Sequence, residues 1–152
     1  MAKYDCTIDT LEHIRNVQKY MGKLTNILIR RAFNHDTTKL QEEEKPYFDE
    51  YTPKFKTLEY GSEEYKQSLI ELKVALEHHY SKNPHHPEYY KNGIDGMNLI
   101  DICEMLCDWI AAVERNKNGN IKRSMEENKK RFNISDQLER ILENTIDILS
   151  DH

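Results

Sequence analysis

The fifteen residues LIDICEMLCDWIAAV, Leu99 to Val113, decide the class of fold. Their only charges are Asp101, Glu104 and Asp108, with no basic partner before Arg115. A segment apolar on nearly all sides predicts a buried helix, here over 97–116, at the centre of the fold. At 100° per residue the three acids fall within about 60° of one another and form a narrow acidic stripe. Buried carboxylates must be paired, protonated or bound to metal, whereas an exposed acidic edge needs no partner at all. Cys103 and Cys107 are expected to pack as small hydrophobes.

Working outward, the rest of the chain keeps the helical period. Ile8, Leu11, Ile14, Val17, Met21, Leu24 and Leu28 recur at three- and four-residue steps and predict a helix over 8–32. Asp9 with Glu12 resembles a capping box at its start, and His13 lies beside its apolar face. Ser62 is placed to cap a second helix, whose stripe of Tyr65, Leu69, Leu72, Leu76 and His79 delivers His79 rather than His78 to the interior. Ser124, Asn128 and Arg131 share one face of a polar helix, a face able to meet phosphate. Ser135 caps a last amphipathic helix with Leu138, Ile141, Leu142, Thr145, Ile148 and Leu149 on its packed side.

Between these helices lie punctuated segments. Pro46 is expected to end a short helix at Leu40–Glu44. The run Glu42-Glu43-Glu44 reads as a solvated face. Tyr47 to Tyr60 reads as an irregular aromatic loop with Pro53 and Gly61 as breaks. Ser81 to Tyr90 is a proline-bounded loop carrying His85 and His86, ended by Gly93 and Gly96, and Asn118-Gly119-Asn120 is a turn. No strand pattern and no repeat interrupts the series. The expectation is an all-α, single-domain helical bundle spanning 1–152, of about five to seven helices.

Composition narrows the function. A net charge of −5 argues against a non-specific nucleic-acid binder, although Lys117 to Arg131 is locally basic. No apolar run approaches the ~18 residues that would span a bilayer, and no secretory leader pattern opens the chain. Three cysteines without a Cys-x-x-Cys spacing imply neither a disulfide framework nor a thiolate zinc site. A cytoplasmic protein is expected, in the host cytoplasm if phage-encoded.

The chemistry is concentrated in Asn34-His35-Asp36-Thr37-Thr38-Lys39. His35 and Asp36 offer two metal-ligand types on adjacent residues: imidazole suits borderline transition metals, and a carboxylate can bridge two ions. Lys39 is close enough to hold a phosphate beside such an ion. His79 can share one site with His85 and His86, because a six-residue loop easily folds back. His152, terminal, is set aside.

The order His13, then His35-Asp36, then Asp108 on a helical chain resembles the HD-domain superfamily of metal-dependent phosphohydrolases. The stretch Cys107 to Arg115 looks like that superfamily's late helix, and the resemblance covers roughly residues 8 to 116. It implies that His13, His35, Asp36 and Asp108 ligate a divalent metal. It also implies that His79 with His85 or His86 supplies the extra histidines of binuclear members. His-Asp-Thr-Thr-Lys resembles the phosphodiesterase form in which the lysine contacts phosphate. Lys39 stands where the HD 5′-nucleotidases carry a glutamate, and the Gly-Tyr-Pro element of the cyclic-dinucleotide phosphodiesterases is absent. The whole chain also looks like an uncharacterised family of small phage and bacterial proteins sharing His-Asp-x-x-Lys and His-His-Pro-Glu-Tyr-Tyr.

These readings lead to a phosphohydrolase acting on a nucleotide or another phosphate ester, with one or two ions of Mn, Co, Mg, Zn or Fe. Lys39 and Glu104 are its expected catalytic groups, and Lys39, Asn128 and Arg131 its substrate contacts. Asp101 is expected behind the ligands. A nucleotide- or signal-sequestering protein without turnover, a di-iron oxygenase on the same ligands, and a purely structural helical domain are the competing classes. The expected partner is a small phosphorylated ligand, without membrane or nucleic acid, and with homo-oligomerisation left open.

Overall fold

The computed structural model describes residues 4–58, 62–115 and 119–150. Gly61, Tyr60, Lys117, the Asn118 position of the expected turn and His152 lie outside the described residues. The protein is all-α: six α-helices and no strand occur among the described residues. They are α1 (Thr7–Asn34), α2 (Lys45–Thr57), α3 (Glu63–Lys82), α4 (Leu99–Glu114), α5 (Ile121–Phe132) and α6 (Asp136–Ser150). Short 3-10 turns occupy Thr37–Leu40, Pro87–Tyr89 and Gly93–Gly96. None of the described helices is long and apolar enough to cross a membrane. The chain divides into two compact units, Met1–His35 and Asp36–His152.

The first unit is α1. Its apolar stripe is present, but no residue of the helix is buried, and Ile8, Leu11, Ile14, Val17, Met21 and Leu24 are all exposed. Periodicity shows that a helix can segregate a face, not that anything covers it. The expected Asp9–Glu12 capping box is also absent. Cys6 is the N-cap, without a side-chain cap, and Asp5 instead accepts from the Thr7 amide at 3.0 Å.

The second unit has two small cores. Tyr51, Leu72 and Ala75, with Phe48, Phe55 and Leu76 around them, join α2 to α3. Leu106, Met125, Ile134, Leu142 and Ile146 join α4, α5 and α6. Two expectations for the first core are corrected here. Tyr47–Tyr60 is not an irregular loop: through Thr57 it belongs to α2, with Tyr51 buried and its hydroxyl donating to Glu71 Oε2 at 2.7 Å. Pro46 does not end a helix but sits in the first turn of α2, where the missing amide hydrogen has no intrahelical partner to lose. Pro tells a boundary from an interior; it does not tell which end of a helix it marks.

Helix ends follow capping chemistry. Ser62 Oγ accepts from the Tyr65 amide at 3.1 Å, Asn98 and Asp101 form a reciprocal capping box on α4, and Asn120 accepts from the Arg123 amide. Asn133 takes a left-handed φ of 51° to end α5, and Ser135 opens α6. α4 is less enclosed than its composition predicts: only Asp101, Met105 and Leu106 are buried, and Leu99 and Cys107 are exposed. Its outer side, with Leu99, Ile102, Cys103, Leu106 and Cys107, faces Ile141, Leu142, Thr145 and Leu149 of α6 across a groove of about 220 Å³. α6 in turn buries Leu142 and Ile146, while Ile141, Ile148 and Leu149, expected to pack, are exposed.

Candidate metal centre

The site lies in the second unit, built from the turn after Asp36, the start of α2, the end of α3, the loop that follows and the first half of α4. Asp36 takes a left-handed φ of 56°, a conformation that aspartate tolerates better than most side chains. From this bend its two oxygens diverge. Oδ1 lies 3.1 Å from His79 Nε2 and 3.4 Å from His85 Nε2, and Oδ2 lies 2.5 Å from Lys39 Nζ. His79, on the last turn of α3, is 1% exposed, while His78 has its side chain 30% exposed. The interior position on that turn thus belongs to His79.

The loop then folds back. Asn83 caps the end of α3 and donates from Nδ2 to the His79 carbonyl at 2.8 Å and to Thr38 Oγ1 at 2.9 Å. This brings His85 to complete burial and His86 Nε2 to 3.0 Å from His79 Nε2. Asp36, His79, His85 and His86 each place one donor atom within 4.8 Å of the others. The loop is therefore not a surface turn.

The far nitrogens of the buried rings are held by carboxylates. His85 Nδ1 lies 3.1 Å from Glu104 Oε1, so a member of the acidic stripe on α4 faces inward and engages a histidine. His79 Nδ1 lies 2.9 Å from Glu44 Oε2. Glu44 is fully buried, which corrects the reading of the Glu42–Glu44 run as a solvated face: Glu42 and Glu43 are exposed and Glu44 is not. Sequence reasoning missed Glu44 because a three-acid run hides which member turns inward. The one available signal was its position two residues before Pro46, at the start of a helix.

Several charged groups gather at this point. Asp36, Glu44, Glu104 and the half-buried Asp108 bring negative charge, and Lys39 is the ammonium paired with Asp36. Burial pushes the Asp36 carboxyl up, but hydrogen bonds to His79 and His85 and the Lys39 charge outweigh it and hold the group well below the usual carboxylate range. His86 is pushed down to about 3 by burial and by neighbouring His85 and His79, against the opposing pull of Asp108 and Asp36.

Asp101, Arg131 and Asn128 fall elsewhere. Asp101 is buried, but it accepts from the Tyr90 hydroxyl at 2.6 Å and the Asn98 amide at 3.1 Å, holding the loop end to the start of α4. Arg131 is exposed and pairs with Glu88 at 2.6 Å, and Asn128 donates to Ser124 at 3.4 Å; neither contact involves the cluster. His13 is exposed on α1, and His35 is the half-buried residue that follows its last turn; both belong to the first unit.

Fold and site together define an all-α protein carrying a buried cluster of three imidazoles and one carboxylate. The model of a family of unknown function, DUF5662, matches residues 2–148, and the chain belongs to that family. No curated protein and no solved structure matches it.

Proposed function

We propose that this protein is a metal-dependent phosphohydrolase acting on a nucleotide or another phosphate ester, with Asp36, His79, His85 and His86 as metal ligands. One observation carries the reading. Three histidine Nε2 atoms and Asp36 Oδ1 converge, with His79 and His86 opposing nitrogens at 3.0 Å. Acceptors turned on one another are costly without a proton or a cation between them. Imidazole and carboxylate donors suit Mn, Fe, Co or Zn, and His85 backed by Glu104 has the carboxylate–histidine arrangement usual behind a metal ligand.

A divalent ion there would lower the pKa of bound water toward neutrality and supply the nucleophile. Lys39, holding Asp36 from the other side, can turn its ammonium toward a phosphoryl oxygen and stabilise developing charge. Phe48 forms the apolar wall, its ring edge-on to His79 and 5.2 Å from Lys39 Nζ. The superfamily resemblance supports the same chemistry and adds Asp108, whose charge acts on His86.

Elemental analysis of protein purified without chelators, followed by a nucleotide and phosphodiester screen with Mn²⁺, Co²⁺, Mg²⁺ and Zn²⁺, tests the proposal. Product release that stops with EDTA and returns with one of these ions is the expected result. Tight nucleotide binding without product would instead establish a sequestering protein, and iron with a charge-transfer band an oxygenase. Absence of any bound ion would remove the site.

A further inference from the structure

Glu44 is a buried carboxylate that the proposed reaction does not use. It is 0% exposed at the N-terminal boundary of α2. Its Oε1 lies 2.8 Å from His78 Nδ1 and its Oε2 lies 2.9 Å from His79 Nδ1, and Oε2 also accepts the Thr38 hydroxyl at 3.0 Å. Consecutive helical residues leave the axis about 100° apart, yet both rings turn the same nitrogen to one acid. An ionised carboxylate only accepts, so each ring facing it carries a proton on Nδ1. For His79 this leaves Nε2, the nitrogen that faces Asp36 Oδ1 and His86, as the one that can give up its proton to an ion.

We infer that Glu44 is a positioning residue of the metal centre, holding His79 in the tautomer whose Nε2 can ligate and strengthening that nitrogen through its charge. The inference rests on the reading of Asp36, His79, His85 and His86 as a metal site. Glu44 holds two rings at once, and this makes a carboxylate irreplaceable there. A glutamine keeps the shape but offers one acceptor and one donor. With Gln at 44, one of the two histidines must give up its bond or move its proton to Nε2. A proton on His79 Nε2 closes that nitrogen to an ion.

The test uses full-length wild-type protein, Glu44→Gln and Glu44→Asp, each freed of metal. Three measurements are made: Co²⁺ binding by visible absorption, ring tautomers by nitrogen-15 NMR of labelled imidazoles, and helicity by circular dichroism. Glu44→Gln should keep its helicity, show a changed tautomer at His78 or His79, and bind Co²⁺ roughly 10- to 100-fold more weakly. Glu44→Asp, with charge and both acceptors but a shorter reach, should fall between Glu44→Gln and wild type. Wild-type Co²⁺ affinity and unchanged tautomers in Glu44→Gln would overturn the inference while leaving the metal site standing. If Glu44→Gln loses its helicity, Glu44→Asp decides: binding as tight as wild type overturns the inference. Failure of the wild type itself to bind Co²⁺, Zn²⁺ or Mn²⁺ overturns the metal reading, and this inference with it.

Discussion

Asp36 divides its carboxylate between two tasks, Oδ1 toward the histidines and Oδ2 toward Lys39. Such a division gives a lysine beside the proposed cation site a role: it balances an acid whose other oxygen faces the cluster. Lys39→Ala should therefore retain bound metal but weaken phosphate or nucleotide binding by calorimetry. Its turnover should fall by roughly the 10²-fold typical of one lost electrostatic contact. Unchanged turnover would place phosphate recognition elsewhere. His86 supplies a pH signature. Its pKa is about 3 in the folded chain against 6.5 for the free group, so the unfolded chain binds a proton that the folded one refuses. The stability it contributes is complete above about pH 6.5 and is lost progressively as pH falls toward 3, at no more than about 1.4 kcal/mol per pH unit. Asp36, lowered in the fold, loses its own contribution only below about pH 4, which leaves it out of the window from about pH 6.5 to 4.5. Urea unfolding of metal-free protein across that window should show a slope that His86→Asn flattens.

At the scale of elements, serine caps were legible where the Asp9–Glu12 box and Pro46 were not. Ser62 and Ser135 each bond the amide hydrogens their positions suggest, because an N-cap acts within three residues of itself. The reciprocal pair at Asn98 and Asp101 also secures the loop through Tyr90, so Asn98→Ala should cost more than an isolated cap, upward of about 1 kcal/mol in chemical denaturation. Pro46 misled because its ring is compatible with a helix start as well as a helix end. α6 misled differently. Its period was right, yet Ile146 is buried where Ile148 and Leu149 are not, since the angle at which a helix meets its neighbours selects among adjacent apolar positions. Leu142→Ala, at the middle of the α4–α6 core, should cost about 2–5 kcal/mol of unfolding free energy.

Across the second unit, the cluster is held by side chains from both pairs of packed helices, through His79 on α3 and Glu104 on α4. A cation there should bind the folded chain and not the unfolded one, and stabilise it by mass action. Added Zn²⁺ or Co²⁺ should raise the melting temperature, EDTA should reverse the rise, and His85→Ala should abolish it with helicity retained. A melting temperature indifferent to every divalent ion and to EDTA would refute a functional site.

Local chemistry determined a good deal from the sequence alone: an all-helical chain, the caps at Ser62 and Ser135, His79 rather than His78 as the inward histidine, and the capacity of the 79–86 loop to return. Each of these depends on contacts within a turn or two, where periodicity and capping are sufficient. Glu44 was a different matter. Only its place two residues before Pro46 distinguishes it from Glu42 and Glu43, and its burial is set by His78 and His79, more than thirty positions away. The pairing of Glu104 with His85 and the bond from the Tyr90 hydroxyl to Asp101 were likewise decided by tertiary structure. Which side chain of a polar run loses its water depends on what the fold brings to meet it, and a lone stretch of sequence holds no record of that partner.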